Sequence, residues 1–182
     1  MKKTKRKKSN QGIGWGIFVL VLSFFLTVFF SYISEVFVAD SSVVVGFLAM
    51  IVLLFINVSS DVLANAVLSA PIEAYLSMAS QKIRGAKRAV KMCKNAPKIA
   101  SIFADVIGDI CGIVSGSVGA MLAFEIYNKG FSTSEIICSI LISAVIGALT
   151  VGGKAFFKII AVKKSKRIVY GVAKLSTYFV KE

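Results

Sequence analysis

Two pairs of charged side chains stand within long apolar stretches: Asp105 and Asp109, four residues apart, and Lys154 and Lys158, spaced the same way. A charge at bilayer depth costs about 2.5–3.5 kcal/mol on insertion scales, so each one requires a partner, a water-filled cavity or a function. Two chemistries suit them. Carboxylates are hard oxygen ligands, and a second polar group, Asn57, Ser59, Ser60, Asp61, Asn65 and Ser69, offers more oxygen of the kind that Mg²⁺ or Ca²⁺ takes. Asp61, Ser69, Asp105 and Asp109 are therefore the candidate metal-ligating residues. The other chemistry is charge pairing. In an antiparallel helical hairpin turning near Phe131 or Ser132, residues at equal depth have numbers of constant sum, and Asp105 with Lys158 has the same sum as Asp109 with Lys154. A two-rung ladder of intramembrane ion pairs is expected, with lysines snorkelling to the interface and solvated aspartates as the alternative.

Other reactive arrangements are missing. There is no histidine, which removes Ser/His/Asp and Cys/His nucleophile systems, and Cys93, Cys111 and Cys138 are isolated, which argues against a thiolate metal site or a disulfide framework. The glycines before Lys154 resemble a phosphate loop only superficially: the spacing carries an extra glycine, no Ser or Thr follows, and the setting is an apolar helix. No catalytic apparatus is visible, and the chain is read as a non-enzyme.

The elements that must position these residues follow from composition. The chain has 182 residues, a formal net charge of +13, 57% hydrophobic residues and a mean hydropathy of +0.81. A soluble nucleic-acid binder would be about 45–50% apolar, so the charge points to a membrane surface and not to nucleic acid. Apolar runs long enough to cross a bilayer as helices lie at about residues 12–34, 43–66, 99–127 and 135–162. The first is too long for a signal peptide and lacks a small-x-small cleavage site, so it reads as an uncleaved span after a basic tail, residues 1–11. Residues 72–97, broken near Gly85, and 163–180 are basic and amphipathic, and read as helices lying on the bilayer surface.

Of the 22 basic residues, only Lys129 falls on the side of the loops between spans one and two and between spans three and four. Lys and Arg near span ends stay cytoplasmic, so both termini are expected inside the cell. The fold class expected is an all-α membrane protein: four transmembrane helices, N-in and C-in, one transmembrane domain over residues 12–182. Small residues recur every fourth position in span three, at Gly108, Gly112 and Gly116 among others, which suits close helix packing against Ser143, Ala144, Gly147, Ala148 and Gly152 of span four.

The order of parts resembles the DUF21 transmembrane domain of the CNNM/CorC magnesium transporters. The residues that carry the likeness are Leu68-Ser69-Ala70-Pro71-Ile72-Glu73, the basic stretch Gly85-Ala86-Lys87-Arg88-Ala89-Val90-Lys91-Met92-Cys93-Lys94-Asn95-Ala96-Pro97, then Ile107-Gly108-Asp109 and Gly153-Lys154-Ala155-Phe156-Phe157-Lys158. The resemblance implies a homodimer holding a dehydrated Mg²⁺ on Ser, Asn and Glu oxygens, with export coupled to sodium. By position Ser69 matches the family's serine and Asp109 its first asparagine. Ile113 stands where the second asparagine would be, Lys154 where the glutamate would be, and no regulatory CBS pair is covered.

The function expected is a small divalent-cation transporter domain, with an inward-facing polar site between spans two, three and four and Mg²⁺ as its ion. The alternative is a non-transporting membrane scaffold or accessory protein, its acids neutralised by Lys154 and Lys158 and its basic helices binding anionic lipid headgroups or a partner. A small membrane permeabiliser is a third class. The expected setting is the cell membrane, as a multi-pass homodimer.

Overall fold

Long runs without proline become long helices. The computed structural model describes the backbone of residues 2–39, 42–130 and 134–179, and the side chains of 14–36, 42–130 and 134–177. Asp40, the expected turn at Phe131 or Ser132, residues 180–182 and the side chains of the basic tail lie outside the described residues. The elements are α1 (Lys2–Ala39), α2 (Val43–Ser69), α3 (Ile72–Ser80), α4 (Ala86–Lys94), α5 (Ala96–Ser101), a π-helical segment (Ile102–Gly108), α6 (Asp109–Asn128), α7 (Glu135–Lys163) and α8 (Ser165–Phe179). There is no strand among the described residues.

Four stretches are long and apolar enough to span a bilayer: Gly14–Val36, Val43–Ser69, Ala96–Asn128 and Glu135–Lys163. They match the expected spans in number and order, with ends shifted by a few residues. The third is α5, the π segment and α6 in one continuous rod, and it is the centre of the molecule. Half of its apolar window is buried in protein, against none of the first span's. It meets α1 through Val106, Ile110 and Val114, against which Val19 and Leu26 pack. It meets α2 and α7 through Val118 and Leu122, which join Met50, Leu54 and Ile146.

The glycines of this rod are placed differently from the expectation. A methyl group on Gly112 would stand 3.1 Å from Asn57 Nδ2 and one on Gly108 3.4 Å from Asn57 Oδ1, so both glycines admit α2. Gly116 faces open space. The close approach to α7 is at Gly119, where a Cβ would run into the Ile146 side chain, and the expected small partners Ser143, Ala144, Gly147, Ala148 and Gly152 are exposed. At 3.6 residues per turn each four-residue step drifts by about 40°, so a stripe that meets α2 at Gly108 and Gly112 has turned away from it by Gly116.

The basic segments pack on each other. Residues 72–97 form α3, α4 and the start of α5, and their apolar stripes pack against α8 and the adjoining ends of α2 and α7. Tyr75, Ala89, Val169 and Ala173 are fully buried together with Ala66 of α2 and Ala161 of α7. An amphipathic helix must bury its apolar stripe against something, and two such segments emerging at the same end bury them on each other. Gly85 makes the close packing possible: its φ of 84° is left-handed, and a Cβ there would stand 3.1 Å from Lys174 Cα of α8. Hydrogen bonds tie the layers, from Tyr75 Oη to the Lys166 carbonyl at 3.0 Å, Tyr170 Oη to the Arg84 carbonyl at 3.3 Å, and Arg88 Nη1 to the Ser176 carbonyl. Lys98 Nζ sits 5.5 Å from the ring centre of Trp15, which puts the start of the apolar stretch of α1 at the same end as α8.

Burial, with the Cys93 thiol beside it adding to the effect, pushes the Tyr75 hydroxyl up to about 12. The unfolded phenol titrates near 10, so the folded state binds this proton more tightly. Stability from this group is fully present below about pH 10 and is lost as pH rises from about 10 to 12. Tyr75→Phe should cost about 1 kcal/mol at neutral pH through the lost hydrogen bond and should flatten the stability loss in that window. Thermal unfolding in detergent, followed by circular dichroism between pH 7 and 12, measures both effects.

Candidate polar cavity

The helix ends that adjoin the basic bundle flank an open cavity of about 680 Å³ between α2, the start of the third span and α7. Its polar lining is Asp61 and Asn65 from α2, Ser101 and Asp105 from the third span, and Lys154 and Lys158 from α7. Each pair is four residues apart. That is about one helical turn, so each helix presents two consecutive rungs to the same space. Asn65 Nδ2 donates to the Asp61 carboxylate at 3.0 Å and to the Asp61 carbonyl at 2.8 Å, which fixes the orientation of that acid.

Lys154 Nζ stands 3.9 Å from Asp109 Oδ1, an extended ion pair whose carboxylate side chain is 65% exposed. Asp105 and Lys158 make no such pair: they share the cavity wall, but no salt bridge within 4 Å joins them. The equal-depth ladder therefore holds at one rung and not at the other. Asp109 N–H bonds the Ala104 carbonyl, five residues back, so Asp105 and Asp109 are separated by the wide turn. Of the two acids, Asp105 lines the cavity and Asp109 does not.

The expected metal-ligating set is divided. Asp61 and Asp105 reach the cavity; Ser69 and Asp109 do not. Ser69 lies eight residues beyond Asp61, about 12 Å further along α2. There it is exposed and its carbonyl accepts from Ser165 Oγ at 3.5 Å. Among the described residues no three His, Cys, Asp or Glu side chains gather as a metal site. Two carboxylates facing two ammonium groups have no net charge, and that donor set does not fit a dehydrated Mg²⁺.

Sequence reasoning put Asn57 with the oxygen ligands, but its place is elsewhere. It is 1% exposed, wedged against Gly108 and Gly112, and its Oδ1 is buried without a hydrogen-bond partner. Ser101 was not singled out in the sequence. It could have been found from the run of four-residue spacings, Pro97, Ser101 and Asp105, that puts these residues on one cavity-facing side of the helix.

No protein-family model, curated protein or solved structure matches the chain.

Two outcomes follow from this geometry. In a double-mutant cycle on thermal stability in detergent, Asp109→Ala and Lys154→Ala should couple by about 0.2–1 kcal/mol, while Asp105→Ala and Lys158→Ala should be additive. Gly112→Ala should destabilise by about 1–3 kcal/mol through the clash with Asn57. Most of that loss should vanish in an Asn57→Ala background, where the obstructing amide is gone.

Proposed function

We propose that this protein is a multi-pass membrane protein, both termini cytoplasmic, that acts as a scaffold or accessory subunit and does not carry ions. The observation that supports this reading best is the position of Lys154. Its ammonium lies against Asp109 and on the wall of the cavity that Asp105 and Asp61 line. A fixed cation there opposes the entry of a divalent ion by direct repulsion, and Lys158 adds a second. The bundle end supplies the complementary half of the reading. From α3 to α5 and in α8 it carries many Lys and Arg against a single acid, Glu73. Each such cation near a membrane contributes about 1 kcal/mol to attraction by anionic lipid.

A second reading, a diverged divalent-cation transporter of the DUF21 kind, draws support from a different observation: Asp61 and Asp105 face one cavity at the end of the spans. Intramembrane acids of this type usually mark ion paths. Reconstitution of the full chain into liposomes loaded with a Mg²⁺-sensitive dye separates the two. The scaffold reading expects no Mg²⁺ flux above protein-free liposomes. Flux that disappears in Asp61→Asn and Asp105→Asn would overturn it and establish the transporter.

A further inference from the structure

At the corner where α7 ends and α8 begins, a groove of about 350 Å³ is lined by Lys163, Lys164, Lys166, Arg167, Tyr170 and, from α3, Met78. Four cations at one corner repel each other, and the arrangement is less favourable still because three of them fall at or beside the start of α8. A helix N-terminus carries about half a positive charge, which acids normally offset, and the first turn of α8 contains none. Among the described residues no acidic side chain makes an ion pair with any of the four.

The frame holding them is fixed. Ser165 between them is buried, so its neighbours are turned outward. The Lys166 carbonyl accepts from Tyr75, Tyr170 donates to the Arg84 carbonyl, and the N–H groups of Arg167 and Ile168 both bond the Lys164 carbonyl at 3.0 Å. A rigid concave cluster of like charge without a counter-charge among the described residues is complementary to a polyvalent oxyanion, and Arg with Lys is the pairing that phosphate oxygens take.

The source of that phosphate is indicated by what adjoins the groove. Phe156, Phe157, Ile159 and Val162 of α7, within the two turns before Lys163, are exposed and apolar. A single ligand that satisfies both surfaces has a phosphate at one end and hydrocarbon at the other.

We propose that the α7–α8 corner binds the phosphate-bearing headgroup of an anionic membrane lipid, with its acyl chains along the exposed apolar face of α7. This rests on the reading of α7 as a membrane span. It goes beyond diffuse attraction of a basic bundle to a bilayer, because it assigns a particular groove.

The test uses the full chain purified in neutral detergent and titrated with phosphatidylglycerol, phosphatidylcholine or inorganic phosphate, with bound lipid read by native mass spectrometry. The expected result is at least a tenfold preference for phosphatidylglycerol over phosphatidylcholine. Affinity for phosphatidylglycerol should fall by about fivefold for each cation removed in Lys164→Ala and Arg167→Ala. The exchange Lys164→Arg with Arg167→Lys should retain the preference, which separates charge recognition from misfolding. Removing Lys91 and Lys94 from α4 deletes as much charge and should have less than a third of the effect. Equal losses from the two pairs would overturn the groove, as would inorganic phosphate displacing the lipid at equal concentration, which would indicate a soluble phosphate ligand instead. Alkaline carbonate extraction tests the underlying reading separately: release of the chain from membranes overturns the span, whereas retention without a phosphatidylglycerol preference overturns only the site.

Discussion

The cost of placing a charge in hydrocarbon organises the molecule. The spans are apolar enough to cross a bilayer; of the charges within the last two, Asp105, Asp109, Lys154 and Lys158 lie towards the end that adjoins the basic bundle, while Glu125 and Glu135 lie at the opposite helix ends. The first four face each other or a shared polar space. Asp61 is held by Asn65, Lys154 stands against Asp109, and Asp105 and Lys158 open onto the same cavity. Gathering opposite charges in one place leaves the remaining length of each helix free to be apolar, which is what a long exposed hydrophobic surface requires.

Lipid tails are as apolar as leucine, so the spans gain little by hiding aliphatic side chains from one another and must associate through fit. That places the burden on the third span, which touches the other three. Glycines at 108 and 112 let α2 approach until the Asn57 amide meets the helix surface, and Gly119 lets the Ile146 side chain of α7 come close. The π segment sits where this rod meets α2 and the cavity begins. Of the two aspartates there, Asp105 lines the cavity and Asp109 stands against Lys154.

The basic bundle is governed by a different balance. Its helices are short, and a nine-residue helix such as α3 or α4 is marginal alone. They persist because their apolar stripes meet in a shared core around Tyr75, Ala89 and Val169, while Lys and Arg remain outside. The same packing that buries Tyr75, Ala89 and Val169 concentrates the cations on the bundle's surface. A loose amphipathic peptide would spread its charge over a membrane, whereas this bundle presents it in fixed corners.

The number, order and approximate limits of the four spans could be read from the chain alone, because the length of an apolar run is a local property and the bilayer sets its minimum. So could the break at Gly85, the helical character of the basic segments and the equal depth that lets Lys154 meet Asp109, although equal depth alone did not pair Asp105 with Lys158. What could not be read is whatever depends on rotation about a helix axis. The sequence does not announce the π turn, nor that Asp105 and not Asp109 lines the cavity, nor that Gly112 meets α2 while Gly116 leaves open space. Nor do the apolar stripes of residues 72–97 and 163–180 state which neighbours they will pack against. Tertiary structure decided that, because both segments emerge at one end of the spans, where burying their stripes together fills a common core.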